Sequence, residues 1–171
     1  MTHRDVVTIS NTYLLPAIVE RYGLEGACVE PVPAHESGRN VFYRCSIEGG
    51  NDRMIRIAYL PDRSREDLLG EIEYIRYLRD HGADVADVLP ARDGTLLVEM
   101  THDRHIYFVC LFEKARGMLL VDNQYRYREG APLSEYFYNT GKTLGKIHQL
   151  SKQYMPVHPR SDFSDRFNLE H

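Results

Sequence analysis

The sequence predicts an α+β fold in which a five-stranded antiparallel sheet packs against a helix. Short segments rich in β-branched and aromatic residues follow one another with brief polar connections, a pattern that favours antiparallel strands. The third and fourth of these segments are separated by residues 65–82, where the apolar positions follow the helical repeat instead. With 171 residues, the chain is long enough to bury one core, so we expect one compact domain with a smaller appendage.

The elements are predicted in a simple order along the chain. A short helix over residues 11–22 comes first, with Pro16 near its first turn and a Tyr-Gly pair at its end. A polar loop that contains Gly38 joins the first two strands, and the turn EGGND joins the second to the third. A short extended piece and an Asp-Gly turn precede the last two strands. The five strands are predicted at residues 28–33, 41–48, 53–60, 95–100 and 106–112.

Residues 65–82 carry the clearest helix signal, with acidic residues in the first turn, basic residues in the last turn and Gly82 as the stop. At about 100° per residue the apolar residues form one stripe, and Glu71 lies inside it. A second amphipathic helix is predicted over residues 133–152, and the Pro-rich remainder is predicted to be extended or disordered. The first stripe contains Leu68, Ile72, Ile75 and Leu78; the second helix carries Phe137, Leu144, Ile147 and a His148 predicted to be buried.

Charge and cysteine content narrow the functional class. Lysine and arginine total 21 and acidic residues total 25, so the net charge of −4 gives no general electrostatic reason to expect nucleic acid or an anionic membrane as a partner. No apolar run is long enough to span a bilayer and no secretory leader is evident, so neither insertion nor export is expected. The three scattered cysteines fit reduced thiols, and we expect a cytoplasmic location.

Arg56 and Glu71 are charged residues on surfaces that the pattern predicts to be apolar. An ionised group on such a surface costs several kcal/mol unless it is paired and hydrogen-bonded. A strand and the helix that follows it pack face to face, so the simplest arrangement joins Glu71 to Arg56. On spacing alone, the pair can be a structural salt bridge or a functional site, and Arg56 can also point to solvent on the open face of the sheet.

The order of these features resembles the aminoglycoside phosphotransferase family of kinase-like enzymes, which includes choline and homoserine kinase relatives. The resemblance covers roughly residues 30–152 and consists of a loop with Gly38 and Asn40, a cation in the third strand, an inward glutamate, the segment FEKARG and the segment GKTLGKIHQLS. It implies a protein kinase-like N-terminal lobe over residues 1–112, a hinge over residues 113–117 and a partial second lobe over residues 118–168 with the helix at about 133–152. Residues 169–171 look like the start of a purification tag.

The resemblance also implies the roles of individual residues. Arg56 stands where the family has a lysine that holds the nucleotide phosphates, and Glu71 would orient it. Backbone groups of Glu113 and Ala115 would meet the adenine edge, with Phe112 lining the pocket, although an ordinary solvated loop also fits this segment. Residues expected to cover the phosphates are Ser37, Gly38 and Asn40, although a lone glycine in a polar hairpin is more often simply a turn.

Two other signals carry less weight. TGKT at residues 140–143 imitates the end of a P-loop, but that motif requires a glycine where Tyr136 stands, and it should follow a strand rather than sit in a helix. His102 and His105, with Asp103 between them, could be metal ligands, but a polar five-residue hairpin turn explains them without a metal. We therefore expect neither a P-loop nor a metal site at these positions.

The sequence lacks the His-x-Asp-x-x-x-x-Asn stretch that supplies the catalytic aspartate and a magnesium ligand in this family. The resemblance therefore implies the ATP-binding half of a small-molecule kinase, with the nucleotide and Mg²⁺ as cofactors and a small hydroxyl-bearing substrate for the longer protein. The metal ligands are expected outside this chain, and residues 1–171 are expected to be inactive alone. The alternative is a non-catalytic regulatory module that binds a nucleotide or a protein partner on a kinase-lobe scaffold.

Overall fold

A computed structural model describes residues 2–33, 40–59, 63–117, 121–128 and 130–158. The described residues form four α-helices, one π-helical turn and six strands. The helical segments are α1 (His3–Ile9), the π turn (Ser10–Leu14), α2 (Leu15–Tyr22), α3 (Arg65–Asp80) and α4 (Leu133–Ser151). The strands are β1 (Cys28–Pro31), β2 (Asn40–Ser46), β3 (Arg53–Ala58), β4 (Val88–Leu89), β5 (Val98–His102) and β6 (His105–Glu113).

The strands form one antiparallel sheet in the order β1-β2-β3-β6, and the outer edge of β6 pairs with both β4 and β5. β3 therefore lies in the middle of the sheet, between β2 and β6. The predicted antiparallel sheet and packed helix are confirmed, and the short extended piece expected before the fourth predicted strand is the two-residue strand β4. This architecture places β3 where side chains on either face can be covered.

The hairpin between β5 and β6 differs from the prediction in two ways. The strand expected at residues 95–100 is β5, which begins only at Val98, because the N–H of Thr95 donates to the side chain of Asp93 and keeps that segment in a turn. The connection to β6 has two residues, Asp103 and Arg104, rather than five. Both have positive φ angles, 46° and 65°, which suit the tight turns that match the twist of paired strands.

The N-terminal helix is longer than predicted. It begins at His3 because Thr2 and Asp5 form a reciprocal capping box, a signal that the apolar pattern alone did not reveal. The π turn lies directly before α2, and the N–H of Leu15 donates to the carbonyl of Ser10, five residues back. Pro16 has no N–H to donate. The widened turn therefore falls where the regular helical hydrogen bonds would be interrupted in any case.

Two apolar layers enclose the sheet. On one face, the N-terminal helical segments pack on the strands, and the Tyr22 hydroxyl donates to the carbonyl of Val109 in β6 at 3.0 Å. On the other face, α3 packs on β3 and β6 through Leu68 and Ile72, which contact a cluster containing Ala58 and Cys110. α3 starts at a second capping box, formed by Ser64 and Asp67. The predicted stripe of α3 is therefore the surface that fixes the helix against the middle of the sheet.

α4 makes few contacts with the rest of the described chain. None of its residues is buried, and Leu133, Phe137 and Leu144 are exposed. His148, predicted to be buried, is exposed as well, because no described element packs on that part of the helix. Its C-terminal end contacts α3, where the hydroxyl of Tyr77 donates to the carbonyl of Leu150, and its first turn pairs with the segment just before it through Arg128 and Glu135. Among the described helices, none combines the length and apolar character needed to cross a bilayer.

Candidate functional site

Arg56 lies at the centre of the sheet, on the face that carries α3. In the strand register it is opposite Phe42 of β2 and Cys110 of β6. Because side chains alternate along a strand, Arg56 shares its face with Met54 and Ala58. The residues directly before and after Arg56 point to the core on the other face of the sheet. The position explains why a cation in this strand is almost fully buried, at 8% exposure.

The guanidinium of Arg56 and the carboxylate of Glu71 are in direct contact. Arg56 Nη1 donates to Glu71 Oε1 at 2.5 Å, across the seam between β3 and α3. The side chains are 10% and 21% exposed, so water screens this pair only weakly. The contact predicted from the helical stripe is present, and the alternative in which Arg56 points to solvent is wrong; what the pair binds stays a prediction.

A second arginine shares the same carboxylate. Arg63 Nη1 donates to Glu71 Oε2 at 3.0 Å, so each oxygen of Glu71 holds a different guanidinium. Arg63 lies just before the first turn of α3, in a segment without periodicity. No pattern in the sequence distinguishes it from the neighbouring Arg65, and the sequence analysis did not identify it.

The remaining surroundings of Arg56 are apolar or weakly polar. Arg56 Nη2 lies 3.8 Å from the Cys110 sulfur, and its guanidinium carbon lies 5.0 Å from the centre of the Phe112 ring. Burial raises the pKa of the Cys110 thiol to about 11 although Arg56 opposes that change, so the thiol is neutral at pH 7. Burial disfavours the charged form of Arg56, but the carboxylate of Glu71 raises its pKa, and the guanidinium stays charged.

One polar atom of this site has no partner. Arg56 Nε is buried and makes no hydrogen bond within the described part of the chain. The face of the sheet beside it is incompletely covered, because Phe42, Met54 and Phe112 are only half-buried. An unsatisfied N–H next to a partly open apolar surface is suited to a planar apolar ligand with an anionic end.

The hinge residues lie at the end of the same strands. Glu113 is opposite Arg53, three residues along β3 from Arg56 and therefore about 10 Å away. The N–H groups of Glu113 and Lys114 donate to the carbonyls of Asp87 and Asp52. In contrast, the N–H of Ala115 makes no hydrogen bond to any residue that the structure describes.

A polar cleft of about 710 Å³ opens at this end of the sheet. Glu113 and Ala115 line it together with the β2–β3 turn, the loop after α3 and Arg79, whose guanidinium pairs with Glu113 at 3.4 Å. Neither Arg56 nor Phe112 lines this cleft. The predicted site residues therefore form two groups, one around Glu71 and one at the hinge.

The other predicted positions contribute less. Asn40 is the first residue of β2 and pairs with Ala58, which places it on the face of Arg56 but farther from the hinge. Ser37 and Gly38 lie outside the described residues. His102 stacks on the ring of Tyr13 at 4.2 Å, and no group of three metal-binding side chains occurs in the described ranges.

Comparisons with known proteins show which proteins the chain is similar to. No protein-family model matches the chain. The chain is 26% identical over 174 residues to amicoumacin kinase from Bacillus subtilis (strain 168), an alignment that covers 98% of the chain and 48% of that protein. The solved structure of amicoumacin kinase hAmiN in complex with AMP-PNP, Ca²⁺ and Ami is similar with a TM-score of 0.77, at 24% identity, and covers 98% of the chain and 48% of that protein.

A second solved structure, the microcompartment-associated aminopropanol kinase, matches with a TM-score of 0.62 at 20% identity over 92% of the chain and 44% of that protein. The chain thus spans about half the length of the relatives that it matches. These similarities confirm the kinase-like fold predicted from the sequence.

Proposed function

Because the chain is similar to small-molecule kinases of the aminoglycoside phosphotransferase family over about half of their length, we propose that it is the nucleotide-binding lobe of such a kinase. The longer protein would transfer the γ-phosphate of ATP to a hydroxyl group of a small polar substrate. We place the lobe at residues 1–112, the hinge at residues 113–117 and part of a second lobe at residues 118–168.

The observation that carries the proposal is the buried Arg56, which Glu71 holds beside a partly open apolar face. A nucleotide base resting on Phe42, Met54 and Phe112 would lie between the hinge and Arg56. The carbonyl of Glu113 and the N–H of Ala115 would meet the edge of the adenine. The phosphates would then reach the guanidinium of Arg56, beneath a loop formed by Ser37, Gly38 and Asn40.

The chain's own residues supply binding and orientation in this proposal. Glu71 fixes the guanidinium of Arg56, so the cation is in place before the phosphates arrive and no reorganisation is needed on binding. ATP, when bound, supplies the phosphoryl group. A similar kinase binds AMP-PNP and Ca²⁺, and the corresponding pair here would be ATP with Mg²⁺.

The metal and the substrate hydroxyl need further groups. The described residues contain no cluster of three metal-binding side chains, and the sequence has no His-x-Asp-x-x-x-x-Asn stretch. We therefore expect residues 1–171 to bind a nucleotide without transferring its phosphate. The metal ligands and the group that accepts the hydroxyl proton would come from another part of the protein.

The experiment is calorimetric titration of the 171-residue chain with ATP, with adenosine and with GTP. Binding of ATP that is tighter than binding of adenosine, and that is lost in Arg56→Met, is the expected result. The absence of ATP binding by a folded chain would contradict the proposal. Arg92→Gln is the matched control, because Arg92 pairs with the exposed Glu25 beside the end of α2 and should leave the affinity unchanged.

A second candidate is a non-catalytic regulatory module that binds a nucleotide or a protein partner. It is favoured by arginine in the position of the family's lysine. The two candidates differ in phosphoryl transfer by the longest protein encoded in the reading frame. Transfer from labelled ATP to small hydroxylated compounds would support the kinase, and tight ATP binding without any transfer would support the module.

A further inference from the structure

We infer that Arg63 is a second phosphate-binding residue, and that Glu71 holds the guanidinium groups of Arg56 and Arg63 side by side for the same anion. This inference rests on the proposed function, since it concerns the phosphate end of the nucleotide site. It adds a cation that the sequence analysis did not identify.

The first step is geometric. The two oxygens of Glu71 accept hydrogen bonds from the two arginines, at 2.5 Å from Arg56 Nη1 and at 3.0 Å from Arg63 Nη1. The two guanidinium groups are therefore close neighbours, linked through the carboxylate of Glu71 by one hydrogen bond each. An anion with several oxygens can contact both groups at the same time.

The second step is accessibility. The side chain of Arg56 is 10% exposed and that of Arg63 is 32% exposed. Arg56 is enclosed by Cys110 and by the ring of Phe112, with which its guanidinium is in contact. Arg63 is the more accessible cation of the pair, so an anion that arrives from solvent meets it before it meets Arg56.

The third step is chemical. A guanidinium carries five N–H donors in a planar fork, so one face of the fork can hold a carboxylate while the other donors bind phosphate oxygens. The net charge of the two arginines and the carboxylate is +1. This positive charge favours a polyphosphate over a neutral ligand. A lysine at position 56 would provide three donors on a point charge, without this fork geometry.

A structural role for Arg63 is the competing explanation. In that case Arg63 only orients Glu71, and its removal would affect the nucleotide through Arg56 alone. The two roles differ in a double-mutant cycle with Glu71, because an effect that acts only through Glu71 vanishes once that carboxylate is gone. The comparison of ATP with adenosine shows whether an effect involves the phosphates, whereas the double-mutant cycle separates the two roles.

The test measures the dissociation constants of ATP and adenosine for the wild-type chain, Arg63→Gln, Glu71→Gln and the double variant. A lost charge-assisted hydrogen bond predicts a roughly ten- to hundredfold weaker ATP affinity for Arg63→Gln, with adenosine affinity unchanged. In the Glu71→Gln background, Arg63→Gln should still weaken ATP binding at least about tenfold. Circular dichroism at the assay temperature establishes that each variant is folded, and Arg63→Lys, which keeps the charge, should recover part of the affinity.

Each outcome bears on one conclusion. If the wild-type chain binds ATP and Arg63→Gln binds it equally well, the role of Arg63 is wrong and the proposed function stands. If Arg63→Gln has no effect beyond that of Glu71→Gln, Arg63 acts only by positioning the carboxylate and the inference is overturned. If the folded wild-type chain does not bind ATP, the proposed function fails first. Arg92→Gln, an arginine in an exposed ion pair, controls for the loss of one positive charge.

Discussion

Glu71 of α3 bridges to Arg56 of β3, fifteen residues earlier, and this ion pair connects the helix to the middle strand of the sheet. Both groups are mostly withdrawn from water, so the loss of Glu71 would leave a poorly solvated charge on Arg56, whereas Glu71 has Arg63 as a second partner. The pair should consequently affect stability as well as the proposed nucleotide binding, and the two effects can be measured separately.

Replacing Glu71 should destabilise the fold. Glu71→Gln removes the carboxylate that faces the buried Arg56, and a broken buried pair costs about 3 kcal/mol in the free energy of unfolding. Chemical denaturation measures the change. Glu25→Gln is the control, because it breaks the exposed pair with Arg92 and should cost less than about 1 kcal/mol. Equal losses for the two variants would mean that the Arg56 pair is effectively solvated.

Replacing Arg56 should be less costly for stability than replacing Glu71. Arg56→Met removes the buried charge and keeps an unbranched apolar side chain in place of the arginine stem, while Glu71 retains Arg63 as a partner. We expect a loss of about 1 kcal/mol in the free energy of unfolding together with a loss of ATP binding. A larger destabilisation for Arg56→Met than for Glu71→Gln would contradict the shared-carboxylate geometry.

The buried thiols should make the fold sensitive to alkaline pH. Burial raises the pKa of Cys45 and of Cys110 to about 11, from an ordinary value of 9.0. The folded chain therefore holds these protons more tightly than the unfolded chain does. Their contribution to stability is complete below pH 9 and is lost as the pH rises through about 11, by about 2–3 kcal/mol for each thiol.

Denaturation under reducing conditions between pH 8 and pH 11 measures this loss. Cys45→Ala should lower stability at pH 8 because it leaves a small cavity, but the decline with pH should be shallower than in the wild type. The exposed Cys28 provides the control, and Cys28→Ala should keep the wild-type slope. An unchanged slope in Cys45→Ala would show that this thiol does not contribute to the decline.

The segment after α4 should detach from α3 when Glu73 is removed. The carboxylate of Glu73 accepts hydrogen bonds from the N–H groups of Val157 and His158, at distances of 3.1–3.2 Å. Hydrogen exchange should accelerate at these two amides in Glu73→Ala. Glu66→Ala, in the first turn of the same helix, should leave them unchanged. Equal exchange in both variants would mean that the aromatic contacts among Tyr74, Tyr77 and Tyr154 hold the segment without Glu73.

The same contact should weaken in acid. Burial opposes ionisation of Glu73, but the hydrogen bonds from His158 and Val157 lower its pKa below the ordinary value of 4.5. The folded state therefore favours the carboxylate form, and the contribution of this contact is present above pH 4.5 and declines as the pH falls below the folded-state pKa. Exchange at Val157 and His158, corrected for intrinsic rates, should show this decline.

The sequence predicted the parts of the site that depend on periodicity. The apolar stripe of α3 fixes which side of the helix meets the sheet, so the position of Glu71 within the stripe was sufficient to predict its contact with Arg56. The alternation along β3 did the same for the face of Arg56. Both signals are local. Both predictions agree with the structure because burial of the flanking apolar residues fixes which side of α3 and of β3 faces the core.

Arg63 could not be predicted in the same way, and the hinge was expected only from the family resemblance. Arg63 lies in a connection whose path depends on the packing of α3, and the proposed hinge would act through backbone groups that any residue carries. For α4, the pattern showed which side is apolar but not whether anything covers that side. The start of the N-terminal helix was missed because its capping box lies outside the apolar pattern.

The π turn determines how the N-terminal helix can change length. Val6 and Ile18 are both fully buried, yet twelve residues of regular α-helix would place them about 120° apart around the axis. The wider turn absorbs one residue and brings the two side chains to within about 20° of each other. In a homologue with one residue fewer in this stretch, an uninterrupted α-helix would keep both residues in the core. The chain can therefore change its length at this turn without rotating the helix on the sheet.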